Sequence, residues 1–224
     1  MLTTFKKNYQ LFAAFLKNSI APPFCLYCKD YLCIRKIFCN ECYDAICPVV
    51  THTIAVTKKY QVKVFAVSDY KDPVKSLILS KGSSDIVSSR KLGELIWELT
   101  YLKNTQFDCI VPIPLHWQRY ARRGFNQAAE IAQVIGKKSG KPVANLLKRK
   151  KRTKRQSGLE PSKRIVNLSG AFELQVKEPQ KYKDKHILIV DDLMTTGATI
   201  RFACKNLIAL QPKSITVAVA CRVV

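Results

Sequence analysis

The run His186-Ile-Leu-Ile-Val-Asp-Asp-Leu-Met-Thr-Thr-Gly-Ala-Thr-Ile-Arg201 spells out a strand, a turn and the start of a helix, in that order. Ile187 to Val190 form an unbroken apolar stretch, the pattern of a strand buried on both faces in a parallel sheet. Asp191 and Asp192 follow at its C-terminal end. Thr195-Thr196-Gly197-Ala198-Thr199 then opens a helix expected to run to about Leu210. Loop amides at a helix N-terminus attract anions, and three threonine hydroxyls stand beside them. Two acids next to such a cradle can hold adjacent sugar hydroxyls. The combination describes a pocket for a ribose 5-phosphate.

In this segment the chain resembles the phosphoribosyl pyrophosphate (PRPP) motif of type I phosphoribosyltransferases: a hydrophobic strand, two acids, then Thr-x-Gly-x-Thr. The resemblance implies that Asp191 and Asp192 take the ribose hydroxyls. It also implies that Thr195, Thr196, Gly197, Ala198 and Thr199 take the 5-phosphate.

The remaining pattern alternates strands and helices. Val62–Val67 reads as a strand, Asp69–Lys81 as a turn with a short helix, and the serine-rich stretch to Ser89 as a loop. Leu92–Leu102 reads as a helix, Cys109–Leu115 as a strand ending in prolines, and Ser214–Val219 as a last strand. A helix through about Lys138 follows Arg119–Glu130. The fold class expected is therefore α/β, a parallel sheet with helices on both faces, whose ligand sits beyond the carboxyl ends of the strands.

Six of the nine cysteines lie between residues 25 and 47. Cys25-x2-Cys28 and Cys39-x2-Cys42 make two knuckles separated by ten residues. Four soft ligands in paired knuckles suit tetrahedral Zn²⁺, and metal would largely fold so short a segment. A four-iron cluster also takes four thiolates, though two separate knuckles look more like a zinc ribbon. Cys33 or Cys47 could substitute for one ligand, and His52 is an outside candidate. Cys109, Cys204 and Cys221 read as core thiols. Three segments are expected: an amphipathic helix over residues 1–21, a zinc ribbon over 22–50, and an α/β domain over 55–224.

A second resemblance covers about residues 22–223. Val111-Pro-Ile-Pro-Leu-His116 and Arg122-Arg-Gly-Phe-Asn-Gln127 are similar to motifs of the ComF family, which joins an N-terminal zinc ribbon to a phosphoribosyltransferase-like domain. Thr153-x2-Gln156, Arg164-x2-Asn167 and Gly170-Ala-Phe172 match its central segment. Where relatives carry Leu-Pro after the second knuckle, this chain has Cys47-Pro48. The resemblance implies pyrophosphate on the main-chain amides of Leu115 and His116, with Mg²⁺ accompanying PRPP. Arg123 could hold phosphate through its donor fork. Asn126 and Gln127 either bond across the pocket mouth or knit the loop to the sheet edge. His116 could act as a base, but capping or solvation is the plainer role.

Charge is the other loud feature. Lysine and arginine number 38 against 16 acids, a formal net charge of +22. Residues 137–164 hold twelve cations and one acid, Glu160. The run Lys148, Arg149, Lys150, Lys151, Arg152, then Lys154 and Arg155, is read as solvated and free to meet a polyanion, single-stranded DNA first. Trp117, Tyr120, Phe125 and Phe172 lie near enough to stack on bases. No apolar run approaches the ~20 residues that span a bilayer. The expected location is cytoplasmic, with the inner face of the membrane as a site of association.

The ComF resemblance implies a competence protein that binds a PRPP-like ligand and single-stranded DNA during natural transformation, with proteins of the DNA-uptake machinery as partners. Two other readings stand beside it. One is an active phosphoribosyltransferase whose acceptor and catalytic residues the sequence does not name. The other is a GntX-like metabolic or binding role without DNA.

Overall fold

In the computed structural model, the described residues are 22–34, 36–79, 85–150 and 170–223. The expected N-terminal amphipathic helix lies outside them, as do Lys151, Arg152, Lys154 and Arg155. The chain divides into two compact units between Ile46 and Cys47.

In the first unit, an antiparallel bridge between Phe24 and Tyr31 closes the turn that carries Cys25 and Cys28. Helix α1 (Asn40–Asp44) starts at Cys39, whose sulfur accepts the Cys42 amide at 3.4 Å. Cys25, Ile37, Phe38 and Ile46 are its buried apolar residues among those described.

The second unit is built on five strands: β1 (Val49–Ala55), β2 (Gln61–Asp69), β3 (Cys109–Pro112), β6 (His186–Met194) and β7 (Ser214–Arg222). They lie in the order β1-β2-β7-β6-β3, all parallel except the antiparallel edge strand β1. Apolar residues fill both faces of the central strands, as a doubly covered sheet requires. One face carries Val64, Val111, Ile189 and Val217 into a core shared with helix α6 (Ala198–Ile208). A small hairpin, β4 (Leu147–Arg149) with β5 (Phe172–Leu174), covers the same side. Helices α3 (Asp85–Leu99) and α5 (Gln127–Ser139) pack together and cover the other face, with the short α2 (Val74–Leu79) beside them.

Three expectations change. Residues 85–89 are helical, not loop, because α3 begins at Asp85 and buries Ser89. The helix is extended by packing on α5, which outweighs serine's mild helix propensity. Between β3 and α5 stands a separate helix, α4 (Trp117–Arg123), ended by Gly124 at φ 80°. The basic run is also not wholly solvated: its first two residues belong to β4, and the Lys150 amide after them donates to the Ala171 carbonyl at 2.9 Å.

The α3–α5 contact is close enough to dictate a glycine. A Cβ at Gly93 would stand 2.9 Å from Val134 Cβ and 3.0 Å from the Ile131 carbonyl. Alanine gains up to about 1 kcal/mol of helix propensity but must push α5 away, and overpacking costs about 1–3 kcal/mol. Gly93→Ala is therefore expected to lower the urea midpoint; a raised midpoint would contradict the close approach.

Candidate functional site

The site sits where β6 leaves the sheet. The strand continues past the apolar run to Met194, so Asp191 and Asp192 belong to its second half and not to a following loop. Strand pairing sets Asp191 level with Val219 of β7 and Val190 level with Pro112 of β3. Both acids are half-buried. The Asp192 amide donates to Asp191 Oδ1 at 2.9 Å. Burial and the adjacent Asp192 carboxylate raise the proton affinity of Asp191 well above the ordinary carboxylate range. The Asp192 amide and the Arg149 guanidinium oppose this without cancelling it.

The turn from Thr195 to Gly197 then delivers α6. Gly197 is the residue before the helix and has φ 70°, a conformation that side-chain-bearing residues rarely adopt. Arg201, one turn into α6, pins this loop: its Nη1 donates to the Thr196 carbonyl at 2.9 Å and its Nε to Ala55 at 3.0 Å. The Thr196 hydroxyl oxygen is buried and has no hydrogen-bond partner among the described residues. A buried hydroxyl of this kind costs free energy unless something meets it. Thr195 and Thr199 are half-buried beside it.

The β3 loop borders the acids. The Ile113 amide donates to the Val190 carbonyl at 2.9 Å, continuing the β3–β6 pairing past the strand. Asn126 Nδ2 donates to the Ile113 carbonyl at 2.9 Å, so Asn126 knits loop to strand. Leu115 is half-buried and His116 buried. The Nδ1 of His116 accepts the Gln118 amide at 3.3 Å, capping α4. Arg123 is exposed and donates to the side chain of Gln127 at the start of α5.

The basic hairpin splits by strand alternation. Lys148 and Lys150 project to one side, where both meet Glu173, at 3.1 and 2.9 Å. Arg149 points the other way. Its guanidinium lies 5.4 Å from the centre of the Phe172 ring. Burial and the neighbouring Arg119 pull its proton affinity down to about 10, while Asp191 acts in the opposite direction. Arg149 therefore belongs with the acid pair, not with the outward-facing cations. Nothing singled out Arg119 or Arg201 in the sequence. The period-two alternation Lys148-Arg149-Lys150 was the available signal for Arg149.

In the N-terminal unit, the sulfurs of Cys25, Cys28, Cys39 and Cys42 all lie within 4.8 Å of one another. A tetrahedral thiolate site with metal–sulfur bonds of about 2.3 Å places its sulfurs about 3.8 Å apart. Cys28 and Cys39 stand at 3.7 Å. Burial pushes the Cys25 thiol up, but amides from Cys39, Tyr27 and Cys28 prevail and bring it down to about 6. Cys42 is pushed up to about 11 by burial and by the Cys39 sulfur. Four sulfurs so close cannot all be anionic without a cation between them, and this group could hold a metal ion. Cys33 and Cys47 are exposed and stand outside it. Cys109, Cys204 and Cys221 are buried, and burial pushes their thiols up to about 11, 12 and 11.

A family model described as the phosphoribosyl transferase domain matches residues 87–223. Competence protein F of Haemophilus influenzae is 36% identical over 111 residues, covering 49% of this chain and 48% of that protein. The chain thus spans about half the length of that relative. DNA utilization protein YhgH of Escherichia coli K12 is 28% identical over 167 residues, 71% of this chain and 72% of that one. Competence protein ComFC of Bacillus subtilis is 32% identical over 99 residues, 44% of this chain and 38% of its own. Among solved structures, the glutamine PRPP amidotransferase of B. subtilis superimposes with a TM-score of 0.44 at 11% identity, over 73% of this chain and 34% of that one. No helix among the described residues is long and apolar enough to cross a membrane.

Proposed function

The chain belongs to the phosphoribosyl transferase domain family, in its ComF branch, and from that premise we propose a competence-type protein that grips a PRPP-like ligand and handles single-stranded DNA during DNA uptake. The observation that carries the ligand half is the β6–α6 turn. An acid pair, a left-handed Gly197 and the unmet buried hydroxyl of Thr196 stand together at the end of one strand.

Asp191 and Asp192 would accept hydrogen bonds from the two ribose hydroxyls. The amides and hydroxyls of Thr195–Thr199 would take the 5-phosphate, whose charge suits the N-terminus of α6. Amides at Leu115 and His116 would face the pyrophosphate, with Arg123 at the loop's outer end. Mg²⁺, a hard ion that prefers oxygen ligands, would accompany the ligand's ribose and pyrophosphate oxygens. His116 would cap α4 through its Nδ1, which accepts the Gln118 amide, and not move a proton. Zinc is the metal that suits four thiolates at the spacing of Cys25, Cys28, Cys39 and Cys42.

The DNA half rests on the net charge of +22 and on the names carried by the relatives. Lys151, Arg152, Lys154 and Arg155 extend the basic run beyond the described residues and remain candidates for backbone phosphates. Proteins of the uptake machinery and the inner membrane face are the partners this role would require.

Calorimetry of the full chain with PRPP and Mg²⁺ tests the ligand half. Saturable heat is expected with one ligand per chain; its absence overturns the assignment. Binding of single-stranded oligonucleotides should weaken steeply with salt, because each neutralised phosphate releases counter-ions. If no oligonucleotide binds at low salt, the DNA half falls.

A further inference from the structure

Helix α4 is a surface helix with no buried residue, and its sequence Trp117-Gln-Arg-Tyr-Ala-Arg-Arg123 contains no acid. Trp117 is 67% exposed and Tyr120 53% exposed. Isolated exposed apolar residues are ordinary; these two are three apart and share one helix face. Arg123 continues that stripe by the same spacing. Arg119 and Arg122, also three apart, form the neighbouring stripe. The helix thus shows an aromatic ridge flanked by a cationic one. The other aromatics near the basic segments are unavailable for stacking, since Phe125 and Phe172 are buried.

We propose that α4 is the surface on which single-stranded nucleic acid stacks, through Trp117 and Tyr120, with Arg122 on the backbone phosphates. This deepens the DNA reading and rests on it. Aromatic faces beside cations are what binds a single strand without regard to sequence, because every base offers a π-face. A duplex keeps its bases stacked inside and offers none. Charge selects the occupant as well, since three arginines without an acid match a polyanion.

His116, the residue that caps α4, ends the loop that leaves β3, and β3 pairs with β6 beside the acids. Helix α4 therefore begins where the loop that borders the acids ends.

The experiment uses the full chain and an oligothymidylate. The chain has two tryptophans, Trp97 and Trp117. Trp97→Phe leaves Trp117 as the reporter, and stacking is expected to quench its fluorescence. Trp117→Ala and Tyr120→Ala should each weaken binding about tenfold, the usual scale of a lost base–aromatic stack. Their salt dependence should keep the parental slope, and Trp117→Phe should retain most affinity. Arg122→Ser should instead reduce the salt slope by about one. Melting midpoints must match the parent, as expected for exposed positions.

If the parent binds oligothymidylate but neither alanine variant changes affinity and no quenching occurs, the stacking surface is overturned while the DNA reading survives. If the parent binds no oligonucleotide, both fall. If the same variants lose binding to phosphatidylglycerol vesicles but keep oligothymidylate affinity, the helix is a membrane contact and the proposal is overturned.

Discussion

Stripping the proposed zinc ion from Cys25, Cys28, Cys39 and Cys42 is expected to unfold the N-terminal unit and leave the sheet unit standing. Among the described residues, this unit buries three large apolar side chains, Ile37, Phe38 and Ile46, besides Cys25. So small a core does not meet the ordering cost of its own backbone. Zinc binding to comparable knuckles contributes about 10–16 kcal/mol at neutral pH, enough to be the whole of the unit's stability. The sheet unit has its own core on both faces and does not draw on the metal. Thiol counting reads the outcome. In the zinc-loaded chain Cys33 and Cys47, both exposed and outside the cluster, should react quickly. After chelation the four ligands should join them. Cys109, Cys204 and Cys221 should stay protected until denaturant is added, because they are buried in strands and α6 of the other unit. If chelation releases metal without exposing the four thiols, the unit folds by other means. If the core thiols react as well, the two units are not independent.

The knuckles and the β6 turn were legible in the sequence because each condenses its chemistry into a few adjacent residues. Cys-x2-Cys fixes two ligands on one turn, and an apolar run followed by acids, threonines and glycine can hardly be placed elsewhere in an α/β sheet. What stayed hidden depends on direction and on contacts between distant segments. Arg149 lies in a run of five cations, where the alternation that separates it from Lys148 and Lys150 is masked by uniform charge. Only the hairpin with β5 shows that it turns towards Phe172 and Asp191. Helix α4 has no buried side, so it lacks the apolar period by which a helix is recognised. The start of α3 was masked by serines that are tolerated because Gly93 lets α5 approach. The edge strand β1 is antiparallel and only seven residues long, with a register shift between Val49 and His52. In each of these places tertiary context overrides a weak local signal.

Replacing both acids, Asp191→Asn with Asp192→Asn, is expected to reduce PRPP affinity by at least about 100-fold, since each removes a hydrogen bond to a charged acceptor. The asparagines preserve shape, so the strand pairing of β6 should persist. The single change Asp191→Asn separates charge from geometry through two opposite outcomes. Burial and the Asp192 carboxylate hold the folded-state proton affinity of Asp191 above its unfolded value. The folded chain therefore binds more protons than the unfolded one between those two values. Stability falls as pH rises through that window, and the penalty for an ionised Asp191 is fully present above it. Asparagine carries no such penalty, so Asp191→Asn should melt higher than the parent at neutral pH while binding ligand more weakly. Ribose hydroxyls favour the ionised carboxylate. Ligand must then expel a proton at low pH, and parental affinity should rise with pH until Asp191 is ionised without ligand, then level off. The phosphates of PRPP titrate too, but that contribution is common to parent and variant. Isothermal titration from pH 5 to pH 8, compared between the two, isolates the part owed to Asp191. The variant should show the shallower slope. A variant that melts lower and keeps the parental slope would mean that Asp191 is a structural acid, held by the Asp192 amide and Arg149 for the sake of the fold, and that the sugar lies elsewhere.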